Sequence, residues 1–157
     1  MKIFLNCSNL TIGGAIQVAN SFINECKYYP ENSYYIILNP TLKNVIYIDS
    51  SNNVHFYIYN ENPINYISKL KLVFYLSSLE RKIKPDVVFT LFGPSYWRPK
   101  TTHVIGFARP LLIFSNDNLF KYMSFSYKIK VLLINRIHKY FIVHHSNFII
   151  VESQLIS

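Results

Sequence analysis

The chain has 157 residues, half of them hydrophobic and 17% aromatic, which excludes a disordered chain. Its four glycines exclude collagen-like and glycine-linker sequences, and its length fits one domain spanning residues 1–157. Sixteen Lys and Arg against eight Asp and Glu give a formal net charge of +8, which points to an anionic partner without specifying its kind.

Lys2–Asn6 is a short apolar run ended by polar residues and reads as a buried strand. Residues 7–14 form a loop. From Ala15 to Lys27, the residues Ile16, Val18, Ala19, Phe22, Ile23 and Cys26 recur at three- and four-residue spacing, the pattern of an amphipathic helix. A turn at 30–33 leads into a second strand, Tyr34–Leu38, rich in β-formers. Pro40 opens a short helix to Tyr47, residues 49–53 form a turn, and Val54–Tyr59 is a third strand. Asn62 is the expected cap, and Pro63 the expected first residue, of a helix to Ile83 that Lys84-Pro85 terminates. Residues 86–92 are a fourth strand, 93–102 a loop, 103–108 a fifth strand and 109–118 a loop. Residues 119–143 are helical, as one broken helix or two, and Phe148–Val151 is a sixth strand.

Strands and helices therefore alternate, and the strands are continuous apolar runs rather than strict alternations. This is the pattern of parallel strands covered on both faces. The predicted fold class is α/β, a Rossmann-like doubly wound parallel sheet of about six strands. Ligands of such sheets bind beyond the carboxyl ends of the strands, which selects the loops 7–14, 39–41, 60–62, 93–102 and 109–118.

The charge is uneven. Residues 1–97 carry eight basic and six acidic side chains, whereas residues 98–157 carry eight and two. No acid falls between Asp117 and Glu152, where Lys121, Lys128, Lys130, Arg136 and Lys139 are interleaved with aromatic and aliphatic residues. Two readings of 119–142 stand: a peripheral contact with an anionic membrane, or a core helix whose exposed face is basic. Zinc ligands, RNP aromatics and zipper heptads are missing, so a nucleic-acid partner is not expected. No run of ~18 uncharged apolar residues is present. The expected location is cytoplasmic, with at most a peripheral place at the inner face of the cytoplasmic membrane. Cys7 and Cys26 form no CxxC and read as reduced thiols.

Gly13-Gly14 follows the first strand and opens the first helix. Free amides at a helix start favour a phosphate or carboxylate, although the doublet could equally serve only to turn the chain. It is neither a G-x-G-x-x-G dinucleotide fingerprint nor a P-loop. The loop Gly93-Pro-Ser-Tyr-Trp-Arg-Pro-Lys100 holds the only tryptophan. Its aromatic faces suit sugar rings and Arg98 and Lys100 suit anions, or the loop is a packing staple. Arg109, just past the fifth strand, meets a phosphate or pairs with Asp117. The five histidines, including His103 and His138, read as structural, and no metal-ligand spacing, nucleophile elbow or carboxylate pair is evident.

Lys2-Ile-Phe-Leu-Asn6 followed by Gly13-Gly-Ala-Ile-Gln-Val-Ala-Asn20, then Lys84-Pro-Asp-Val-Val-Phe89, then Asn147-Phe-Ile-Ile-Val-Glu-Ser153, resembles the amino-terminal half of group 1, family-4-type retaining GT-B glycosyltransferases. The resemblance implies transfer of a sugar from a nucleotide sugar, as co-substrate, to a surface-polysaccharide or lipid-linked acceptor. It implies no metal and no resident cofactor. Gly13 and Gly14 match the donor-phosphate loop, and Ser95, Tyr96, Trp97, Arg98 and Arg109 fall where acceptor contacts are expected. The family's second half, with its paired glutamates, should begin where this sequence stops, at Ser157, and Gly106-Phe-Ala108 stands where the family has a histidine. The expectation is a chain inactive by itself, as a fragment, a truncated product or one of two partner chains. The competing reading is a non-catalytic acceptor- or anion-binding Rossmann-like module.

Overall fold

A computed structural model describes residues 1–11, 13–46, 51–61, 65–107 and 124–151. Six strands, β1 (Lys2–Asn6), β2 (Ser33–Leu38), β3 (Val54–Ile58), β4 (Val87–Thr90), β5 (His103–Phe107) and β6 (Phe148–Val151), form one sheet in the order β3-β2-β1-β4-β5-β6. Every pairing is parallel. Among the described residues the helices are α1 (Gly14–Cys26), α2 (Pro40–Val45), α3 (Tyr66–Ile83) and α4 (Phe125–His145). The expected α/β, Rossmann-like arrangement is the one observed.

The continuous apolar runs have a direct cause. Successive side chains of a strand point to opposite faces. On β1, Leu5 enters a core with Ala19 and Ile23 of α1 and Leu42 of α2, while Phe4 enters a second core with Leu72, Leu76 and Leu79 of α3. Ile36 and Ile37 of β2 divide the same way. Each such side chain, taken fully out of water, contributes ~1.5–3 kcal/mol. The thiols of Cys7 and Cys26 lie in the first core as free cysteines; burial pushes the Cys26 thiol up to about 12 and Cys7 higher still. Neither is reactive as a thiolate at neutral pH.

Several boundaries differ from expectation. The predicted cap and first residue of α3, Asn62 and Pro63, lie outside the described residues, and the helix starts at Tyr66. Asn65 caps it: its side chain accepts from the Ser68 amide at 2.8 Å, and the Ser68 hydroxyl accepts from the Asn65 amide at 3.1 Å. The helix ends at Lys84, whose left-handed backbone (φ 50°) precedes Pro85. The last helix is unbroken from Phe125, with Ser124 at its cap position.

α4 and β6 carry much of the exposed apolar surface. Ile142 is the buried residue of α4, while Phe125, Leu132, Leu133 and Ile137 face solvent. Phe148, Ile149 and Ile150 of the edge strand β6 are also exposed. Among the described residues, no helix is long and apolar enough to cross a membrane.

Gly106 decides how closely β5 passes the end of β4. A Cβ there would sit 1.9 Å from the Leu91 carbonyl oxygen and 3.0 Å from its carbon, which are backbone atoms that cannot rotate away. The Gly106 carbonyl in turn accepts from the Gly93 amide at 2.9 Å. Gly106→Ala is therefore expected to cost ~3 kcal/mol or more in urea unfolding, the upper end of overpacking effects. A loss below ~1 kcal/mol would show that the two strands separate freely at this point.

Candidate functional site

In this strand order the chain leaves β1 toward one side of the sheet and β4 toward the other. The loops after β1 and β4 diverge, and a crevice opens between them at the carboxyl ends. A cleft of about 750 Å³ occupies that place. One wall is the 8–11 loop with the start of α1, from Gly14 to Val18. The other is the Lys69, Leu72, Val73 and Leu76 face of α3, closed by residues 92–97 and by His138 of α4.

Three asparagines shape the first wall. The Asn6 side-chain oxygen accepts from the Ser8 amide at 3.2 Å and the Ser8 hydroxyl at 2.6 Å. Fully buried Asn39 donates to the Ser8 carbonyl at 3.1 Å and the Leu10 carbonyl at 2.7 Å, while its oxygen caps α2 through the Leu42 amide at 2.8 Å. Asn9 donates to the Phe92 carbonyl at 2.7 Å and so ties the loop after β1 to the loop after β4. The Asn9 oxygen is itself buried, with no hydrogen-bond partner among the described residues.

The glycine doublet sits where the loop meets the helix. Gly13 occupies the cap position of α1 with φ 74°, a conformation side chains rarely adopt. Among the described residues no side chain caps α1, and of its first amides that of Ile16 donates to the Gly13 carbonyl at 3.2 Å. A Cβ at Gly13 or Gly14 would meet nothing within 4 Å, and Gly14 lines the cleft.

The other expected residues are placed unequally. Tyr96 lines the cleft, half-buried. Ser95 and Trp97 also touch it, but both are committed to the fold. The Ser95 hydroxyl donates to the Trp97 carbonyl at 2.9 Å. Trp97 is only 2% exposed and packs against Phe4 at 5.5 Å between ring centres, so its faces belong to the core and not to a ligand platform. Arg98 is exposed and does not line the cleft. Arg109 lies outside the described residues.

Two residues of the cleft were not anticipated. His138, read as structural, lines it instead, and its Nε2 lies 3.2 Å from the Tyr96 hydroxyl. Lys69 holds its ammonium 4.6 Å from the centre of the Tyr96 ring. Its sequence signal was a lysine placed three, four and seven residues before Leu72, Val73 and Leu76, that is, inside an apolar stripe. No carboxylate lines the cleft among the described residues, and no group of metal-binding side chains is found among them.

His103 is structural, as its place at the start of β5 implied. Its Nδ1–H donates to the His145 carbonyl, which leaves Nε2 to accept from the Thr90 hydroxyl at 2.8 Å. Thr90 also accepts from the Asn6 amide at 3.4 Å, so the chain of bonds runs to the cleft floor. Burial holds the His103 ring below the ordinary histidine range against the opposing pull of the His145 carbonyl, and burial also lowers His145. The unfolded chain thus takes up a proton more readily than the folded one. Stability is complete above the ordinary range near ~6.5 and falls as pH drops through the lower folded values. The urea midpoint should decline from pH 7 to pH 5, with a shallower slope in His103→Gln. An identical slope in that variant would assign the decline to other groups.

No family model, curated protein or solved structure significantly matches the chain.

Proposed function

We propose that this chain is the acceptor-side half of a retaining, two-lobed sugar transferase, which moves a sugar from a nucleotide sugar to a surface-polysaccharide or lipid-linked acceptor. The observation that carries this reading is the cleft at the strand-order switch, with an uncapped helix start and exposed Gly14 on one wall and Tyr96 on the other. Amides at the start of α1 suit a donor phosphate and the charge that develops on it as the leaving group departs. The nucleotide would be gripped mainly by a second, facing Rossmann-like body. The absence of a carboxylate among the described cleft residues favours the rival reading, a non-catalytic acceptor- or anion-binding module.

These readings part in a titration with UDP-glucose followed by amide NMR. For one wall of a two-walled site, binding is expected to be weak, with Kd about 1 mM or above, and centred on residues 13–16. Gly14→Ala should abolish the response without loss of thermal stability, since space at that position is open. Micromolar affinity for the chain alone, or shifts remote from the cleft, would overturn the division of labour.

The same reading rests α4 on an anionic membrane surface. Its support is a helix whose exposed Phe125, Leu132 and Leu133 share the surface with Lys128, Lys130, Arg136 and Lys139. Each cation near an anionic leaflet contributes about 1 kcal/mol. Sedimentation with phosphatidylglycerol vesicles is expected to pellet the chain. Changing Lys128, Lys130 and Lys139 together to Gln should weaken partitioning roughly a hundredfold. Equal pelleting of both forms refutes the contact.

A further inference from the structure

We propose that Lys69, Tyr96 and His138 form an anion subsite on the wall of the cleft opposite α1, and that it takes a phosphoryl group carried by the sugar acceptor. This deepens the acceptor-side reading and rests on it. α1 and α3 cover opposite faces of the sheet, so the subsite is separate from the glycine doublet.

The argument begins with Lys69. It stands in the stripe of α3 that turns Leu72, Val73 and Leu76 to the cleft, and it is half-buried. No carboxylate among the described residues is paired with it. Its contacts are the rings of Tyr96 at 4.6 Å and Tyr66 at 5.8 Å. Aromatic faces hold an ammonium in place without neutralising it. A partly desolvated cation in a cleft without acids attracts an anion more strongly than the same cation in water.

Tyr96 joins this charge to His138. The phenol oxygen lies 3.2 Å from His138 Nε2, and the Tyr96 ring is further wedged edge-on against Phe141 at 5.0 Å. When Nε2–H donates to the phenol oxygen, the Tyr96 hydrogen is left to donate to a ligand. The ammonium, 4.6 Å from the ring centre, and the hydroxyl of that same ring are then both offered on this wall of the cleft. A phosphoryl group presents three acceptor oxygens and at least one negative charge, and so engages both. An uncharged sugar offers the ammonium nothing comparable. The residues come from α3, the loop after β4 and α4, so the subsite exists only in the assembled fold.

The test uses protein with labelled histidine and tyrosine rings, titrated with inorganic phosphate, glucose 1-phosphate and methyl glucoside. Both phosphates are expected to shift the Tyr96 and His138 ring signals, and methyl glucoside is not. Lys69→Gln should weaken glucose 1-phosphate binding about tenfold, the scale of one charge-assisted contact, and Lys69→Arg should restore most of it. Gly14→Ala should leave the ring response in place. Undiminished affinity in a folded Lys69→Gln variant, or shifts confined to the start of α1, overturns the subsite. The acceptor reading fails in a different way: inorganic phosphate binding as tightly as glucose 1-phosphate would show that the sugar adds nothing, while the Lys69-dependent anion site remained.

Discussion

The cleft depends on buried amide side chains that replace backbone pairing where the sheet ends. Past Asn6 the chain leaves the β1 ladder, and its carbonyls at Ser8 and Leu10 have no strand beside them. A buried carbonyl without a donor costs free energy comparable to a lost hydrogen bond. Asn39 supplies both donors from one side-chain amide, and its oxygen starts α2. One residue after β2 thus fixes the loop after β1, and through it the entry of α1. Asn9 extends the linkage to the β4 side. The first wall is therefore set by short polar side chains with fixed geometry, together with the burial of Cys7 and Leu10 in the first core.

The second wall is held differently. Trp97 fills the space beneath it against Phe4, and Glu80 of α3 accepts from the Lys100 and Thr101 amides at 2.8 and 2.9 Å. The loop after β4 is thereby anchored on the carboxyl side of Tyr96, and its other end is held by the Gly93 amide on the Gly106 carbonyl. Rigid anchors on either side of a single half-exposed aromatic are the arrangement by which a loop presents a side chain without a large ordering cost.

How much of this was legible in the sequence follows from what each feature depends on. The strands were readable because coverage on both faces leaves unbroken apolar runs, and parallel order followed from their alternation with helices. α1 was readable from its spacing. The cap of α3 was misplaced because Asn62-Pro63 and Asn65 both satisfy local rules, and the choice rests on Ser68 returning a hydrogen bond. Trp97 leaves two readings open in the sequence because an aromatic in a loop looks the same whether it faces a ligand or a core; only the position of Phe4 on the neighbouring strand distinguishes them. The hold of Asn39 on the loop after β1 carries no local signal, since Ser8 and Leu10 are distant in sequence, whereas Lys69 shows locally only as a lysine inside an apolar stripe. Gly106 reads as an ordinary strand residue until β4 is laid beside it.

The last strand has a consequence of its own. β6 pairs with β5 along one side, and along the other no described strand pairs with it, next to the exposed Phe148, Ile149 and Ile150. Such a rim is a template for any extended peptide, since main-chain pairing there needs no particular partner sequence. Pairing with a further extended segment would begin at that rim rather than at the strands enclosed within the sheet.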